Sequence, residues 1–194
     1  MASMSGTVAL FHFDEPEGAT TFANETVLGD GVCDGESSCP TAGEPGMWGT
    51  ALQVSENHNH ADDYVRADDV ARAFTGTTGL SLGGWVRPKD SSPPGVVLAF
   101  DSEDGSRRNQ IVYRCDGEYR LTYEDGSVAK DLGYVGVNVW YHVMVTIDAD
   151  GNATGYLDGD EVATFTTDVR PDPHGRFTMG ARWDEDGPTD FYNG

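Results

Sequence analysis

From "LSLGGWV" onward, apolar residues of this chain recur at every second position, and helical spacing is almost absent. Side chains of an extended chain alternate between two faces, so this period predicts strands with one covered face. Eleven such runs are expected, at residues 7–13, 51–54, 63–67, 80–88, 95–101, 109–115, 119–124, 139–148, 153–158, 161–167 and 176–181. The dipeptide Asp-Gly punctuates them in "CDGE", "EDGS", "DADGN" and "LDGDE". Glycine accepts the positive φ that tight hairpins need, and aspartate caps such turns with its own carboxylate. Many short strands joined by hairpins fold as an all-β, two-sheet antiparallel sandwich.

Only "DDVARAF" offers a helical turn, and the Gly-, Pro- and acid-rich stretch 24–47 reads as a long surface loop. No repeat or linker divides residues 7–194, so one domain is expected. Residues 1–6, "MASMSG", have neither the basic nor the apolar region of a signal peptide and read as an appended start. No apolar run approaches the length of a membrane span, so no membrane insertion is expected. The closing "DFYNG" carries Asn-Gly, which predicts a turn with a further strand beyond it.

Charge narrows the partners. The net charge of −21, with 33 acidic against 12 basic residues, argues against nucleic acid and against anionic membrane surfaces. Only Lys89 and Lys130 are lysines. Cys33 and Cys39 share one polar loop without a third ligand at metal spacing, so a disulfide and an oxidising, extracellular compartment are expected. Cys115, closing an apolar alternation, is expected as a buried free thiol.

Several blocks together resemble one family. "VALFHFDEPEGATTFANET", "ALQVSENHNHADDYVRADD", "LSLGGWVRP", "VWYHVMVTIDADGNATGYLDGDEV" and "FTMGARWDEDGPTDFYNG" are similar, in this order, to laminin-G-like, concanavalin A-like jelly-roll domains. The "WYHVMVTID" to "GYLDG" block is the most specific part. The acidic clusters Asp14–Glu15, Asp62–Asp63 and Asp184–Glu185–Asp186 offer oxygens to calcium or form a solvated rim without metal. The resemblance implies a concanavalin A-like jelly roll and a structural calcium near the sheet rim, with Asp62 and Asp63 in the segment that matches best. It also implies one more strand after "DFYNG", pairing with the first. An exposed first strand, with Ala9, Phe11 and Phe13 on its open edge, would then receive a complementing β-strand peptide. A plain truncation and a split domain both fit this pattern.

Catalysis has little support in the residues. Glycosidases need two carboxylates facing one cleft, whereas Asp101 and Glu103 fall on an Asp-Gly turn. The histidines of "HNH" (His58, His60) read as a polar loop, and "DADGN" as a turn instead of a calcium loop. The expectation is a secreted, non-catalytic recognition module, with glycan as first ligand class and a strand-donating peptide as the alternative. Exposed aromatics beside polar groups mark a sugar site, which nominates Tyr134, Trp183 and Tyr192. Trp85 is expected in the core, Trp48 fits core or surface, and the strand 139–148 is expected to be covered on both faces.

Overall fold

The computed structural model describes residues 7–35, 38–54, 63–73, 79–89, 94–167, 172 and 174–194. Two antiparallel sheets face each other. The larger runs β1 (Thr21–Phe22), β2 (Gly31–Val32), β5 (Val65–Arg66), β14 (Arg176–Met179), β7 (Gly95–Asp101), β8 (Arg108–Cys115), β9 (Tyr119–Glu124) and β10 (Ala129–Tyr134), in that spatial order. The smaller runs β13 (Asp160–Thr166), β12 (Asn152–Leu157), β11 (Tyr141–Ile147) and β6 (Leu80–Val86). Two hairpins stand apart as two-stranded sheets, β3 (Thr41–Pro45) with β4 (Thr50–Gln53), and β15 (Arg182–Asp184) with β16 (Gly187–Thr189). The one helix among the described residues is α1 (Asp68–Arg72), within the expected helical turn.

The alternation builds the core directly. Ile111, Tyr113, Leu121 and Tyr123 point inward from the larger sheet and meet Leu80, Leu82, Val143, Val145 and Ile147 from the smaller. Each such fully buried aliphatic side chain contributes roughly 1.5–3 kcal/mol through loss of apolar surface from water. The buried Tyr123 hydroxyl is satisfied, donating to Asn109 Oδ1 at 2.8 Å. Gly155 marks a close approach of the sheets. A Cβ there would collide with Leu132 Cδ2, so glycine lets β10 lie on β12.

The Asp-Gly turns form as expected, with positive φ at Gly105, Gly117, Gly126, Gly151 and Gly159. Three expectations are corrected. Residues 7–13 form no ladder strand, only a single bridge between Phe11 and Asn24, because Phe13 adopts φ 57° and ends the extended run. The stretch 24–47 is not all loop, since β2 and β3 lie within it. The final Asn-Gly makes no hairpin turn. Gly194 exchanges two backbone hydrogen bonds with Val54, both 2.9 Å, while Tyr192 N–H donates to the Gly180 carbonyl at 2.8 Å. Phe191 runs parallel beside Val96, close enough that a Cβ on Gly95 would collide with its carbonyl oxygen. Residues 190–194 are therefore already stitched into the fold, and extended pairing satisfies the backbone that a turn would have left open.

Candidate functional site

The strand parity that builds the core also builds an aromatic surface on the other side of the smaller sheet. In β6, Leu80, Leu82 and Val86 face inward, so Ser81 and Trp85 face out. Their partner β11 is in register, with Trp85 opposite His142. The two rings lie 5.3 Å apart. Trp85 is 38% exposed, which corrects its expected place in the core. The strand β11 is likewise covered on one face only: Val143, Val145 and Ile147 are buried, whereas His142, Met144 and Thr146 line the outer face. The parity was legible, but the size of the indole outweighed it in the sequence reading.

A second element brings Trp48. The turn joining β3 and β4 closes through Gly46 N–H to the Gly49 carbonyl, 3.1 Å, and Gly49 takes φ 68°. Its tip presents Met47 and Trp48. Trp48 is 70% exposed and meets Trp85 edge-on, with centroids 5.0 Å apart and planes at 90°. Together Met47, Trp85, Trp140, His142, Asp158 and Gly159 surround a shallow hollow of about 540 Å³. The Arg87 guanidinium lies over the Trp140 ring at 5.2 Å, so a cation already engages that π-face. Asp158 is held at the edge by the two-residue turn between β12 and β13. Its carboxylate accepts from His142 N–H at 2.8 Å, and its own N–H donates to the His142 carbonyl at 2.7 Å. Two partly exposed indoles at right angles, with an imidazole and a carboxylate beside them, give apolar surface plus polar groups of fixed direction.

The aromatics singled out from sequence are placed elsewhere. Tyr192 is 5% exposed, packed on Tyr113 with its hydroxyl buried and without a hydrogen bond, and this burial pushes its titration upward. It belongs to the core, because the pairing of residues 190–194 turns its ring inward. Trp183 is half-buried, with the guanidiniums of Arg176 and Arg66 at 4.9 and 6.0 Å from its ring and Tyr64 edge-on at 6.0 Å. Its faces are engaged within the protein. Tyr134 is 65% exposed on β10 and opposes Arg120 on β9. A hydrogen bond to Glu118 holds the Tyr134 phenol above its ordinary range.

Next to Tyr134 runs a charged groove of about 500 Å³ on the outer face of the larger sheet. Arg114 and Arg120 stand directly opposite each other there, an unfavourable cross-strand pair by itself. Carboxylates relieve it: Arg114 forks onto Glu124, and Arg120 reaches Asp116 and Asp131. Its cations are thus largely spent on neighbouring acids.

The acidic residues expected to hold calcium are only partly in view. Asp14 is exposed and Asp63 is 8% exposed, while Asp62 and the "HNH" histidines lie outside the described residues. Calcium wants six to eight oxygens. Among the described residues no group of three or more His, Cys, Asp and Glu is assembled to hold a metal, so these residues alone do not complete such a shell. Cys33 and Cys39 are bonded as expected, with Cα atoms 5.1 Å apart, and Cys115 stands outside that bond, half-buried where a buried position was expected. Asp101 is buried, accepting from Gln110 at 2.7 Å and from Trp183 N–H at 2.7 Å, whereas Glu103 is exposed on the turn. No helix among the described residues is long and apolar enough to cross a membrane.

Comparison with known proteins agrees with this architecture. The CBM40 module of the Ruminococcus gnavus IT-sialidase superposes with a TM-score of 0.50 at 10% identity, over 65% of this chain and 76% of its own. The NanB sialidase of Streptococcus pneumoniae gives 0.52 at 13% identity, over 73% of this chain but only 23% of the sialidase. Tailspike protein 2 of Escherichia coli O157:H7 bacteriophage CAB120 gives 0.51 at 15% identity, over 92% of this chain and 25% of the tailspike. At these identities the likeness is one of fold. No curated protein sequence matches. The family model described as the concanavalin A-like lectin/glucanases superfamily matches residues 59–194, and the chain belongs to that superfamily as a laminin-G-type jelly roll.

Proposed function

We propose that this chain is a non-catalytic glycan-recognition module that works in an oxidising, extracellular setting. The observation that carries this reading is the outward-facing set Met47, Trp85 and His142 around the hollow bordered by Asp158, with Trp48 edge-on against Trp85. Sugar rings present C–H faces that stack on indoles while their hydroxyls seek fixed polar groups. Asp158 is the only carboxylate lining the hollow among the described residues, whereas glycoside hydrolysis needs two. The Cys33–Cys39 bond supports the compartment. The CBM40 module, named as part of a sialidase, supports a fold used for carbohydrate recognition.

A glycan microarray followed by titration of the tightest binder tests the proposal. Trp85→Ala and Trp48→Ala should each weaken binding by about tenfold or more, equivalent to roughly 1.4 kcal/mol, with an unchanged melting temperature for the exposed Trp48. Binding that survives both substitutions would move the site away from this hollow.

A second reading, strand complementation, is favoured by one observation on residues 7–13. Leu10 donates to Asn24 Oδ1 at 3.1 Å and accepts from Glu25 N–H at 2.9 Å, so its backbone groups face that neighbour. The groups of Ala9 and Phe11 point the opposite way, and no partner is found for them among the described residues. Ala9, Phe11 and Phe13 meanwhile pack against the core. A ten-residue alternating Ile/Val peptide should slow amide exchange at Ala9 and Phe11, and a scrambled peptide should not. Equal effects of the two peptides would reduce this edge to ordinary stickiness.

The calcium expected at Asp62 and Asp63 stays part of the proposal as a structural ion, separate from the aromatic hollow.

A further inference from the structure

We propose that the aromatic hollow selects uncharged sugars and rejects glycans capped by a carboxylate-bearing sugar. This rests on the glycan reading of the hollow and adds the ligand class. The reason lies in the charges around it. Asp158 is the one charged residue lining the hollow among those described, and it is anchored there through both its carboxylate and its N–H. Past the turn, Asp160 and Glu161 are exposed at the start of β13, so the edge carries three acidic side chains within four residues. Arg87 lies over the Trp140 ring and is not among the residues that line the hollow. Among the described residues the lining therefore offers an anion one carboxylate and no guanidinium, on a protein of net charge −21.

Recognition of a sugar carboxylate calls for guanidinium or ammonium donors aimed at it. Here the polar groups run the other way. A carboxylate beside indole faces accepts hydrogen bonds from hydroxyls and gives none, which suits a neutral pyranose. The fold shared with modules of sialidases thus comes without the electrostatics that a sialylated ligand would need at this position. Repulsion from fixed surface charges is screened by salt, which makes the discrimination itself salt-dependent.

The test uses neutral glycans immobilised beside their sialic acid-capped counterparts, with each pair also titrated in solution by tryptophan fluorescence. Neutral members should bind, and capping should weaken binding about tenfold or more, about 1.4 kcal/mol or more. Asp158→Asn combined with Asp160→Asn should narrow that ratio several-fold, as should raising salt to about 0.5 M, where screening acts within a few ångströms. If capped glycans bind as tightly as neutral ones and Trp85→Ala abolishes both, the hollow is a glycan site but the selectivity is wrong. If bound neutral glycans are indifferent to Trp85→Ala and Trp48→Ala, or no glycan binds, the glycan reading of the hollow and this inference fall together.

Discussion

Asp101 shows how one residue sets a pH response. Burial raises its carboxyl from 3.8 to about 6, against the lowering pull of the Trp183 N–H, Gln110, Arg108 and Arg182. The folded protein thus holds this proton more tightly than the unfolded chain does. Stability from protonated Asp101 is fully present below about 3.8 and is lost as pH rises through about 6. Asp148 shifts the other way, lowered chiefly by bonds from Asn152, so its contribution is lost only as pH falls below the ordinary carboxylate range. Among the described carboxyls with a shift, Asp101 is the one raised into the interval between pH 4 and 6. Urea unfolding taken across it should show a gain of about 2 kcal/mol toward acid, the part of the shift from 3.8 to about 6 that titrates between pH 4 and pH 6. Asp101→Asn, neutral throughout, should flatten this component and lose stability at pH 4, where one donor of the Gln110 and Trp183 pair loses its acceptor. Parallel pH profiles for the two proteins would contradict the assignment.

Among elements, the hairpin of β9 and β10 depends on a carboxylate at its turn. Asp125 is 2% exposed and accepts from Ser127 N–H at 2.8 Å, Val128 N–H at 2.6 Å and the Thr167 hydroxyl at 2.5 Å. The last of these ties the hairpin of the larger sheet to the end of β13 in the smaller. Asp125→Ala removes the carboxylate that accepts from the Thr167 hydroxyl and from two turn amides, and should cost about 3 kcal/mol in urea denaturation. Asp125→Asn, which keeps an acceptor, should cost less. A loss below about 0.5 kcal/mol would mean that water replaces the carboxylate. Element by element, the sequence located the long strands well: β7 and β9 coincide with the alternating runs 95–101 and 119–124. The short strands β1 and β2 were not legible, because two residues carry no period. β10 was missed because "AKDLGY" places Leu132 alone between polar residues, and its pairing comes from β9.

At the scale of the whole molecule, the acidic surface and the expected calcium make one prediction. If Asp62 and Asp63 hold the ion, calcium added to chelated protein should raise the melting temperature, since a ligand of the native state shifts unfolding by mass action. Asp63→Asn should remove most of that rise, while magnesium, which demands tighter octahedral geometry, should give less. A rise that persists in Asp63→Asn places the ion elsewhere. Screening of the net charge by added salt would raise stability without calcium, so the comparison is made at constant ionic strength.

What the sequence determined by itself is local. Period-2 alternation fixed which face of each long strand is buried, Asp-Gly fixed where the chain reverses, and cysteine spacing placed the disulfide, because each depends on residues close together along the chain. The position of Trp85 was also encoded, in the parity it shares with Ser81 against Leu80 and Leu82, and a large apolar side chain hid it. Tertiary structure alone decided the rest. The hollow joins a turn tip at Met47, a strand end at Trp85, another at His142 and a second turn at Asp158, four positions brought together only by sheet register and by the lean of the β3–β4 hairpin. Tyr192 became core and the final Asn-Gly became extended chain for the same reason. Backbone partners from Val54 and Gly180, more than a hundred and about a dozen residues away respectively, hold Gly194 and Tyr192 in place.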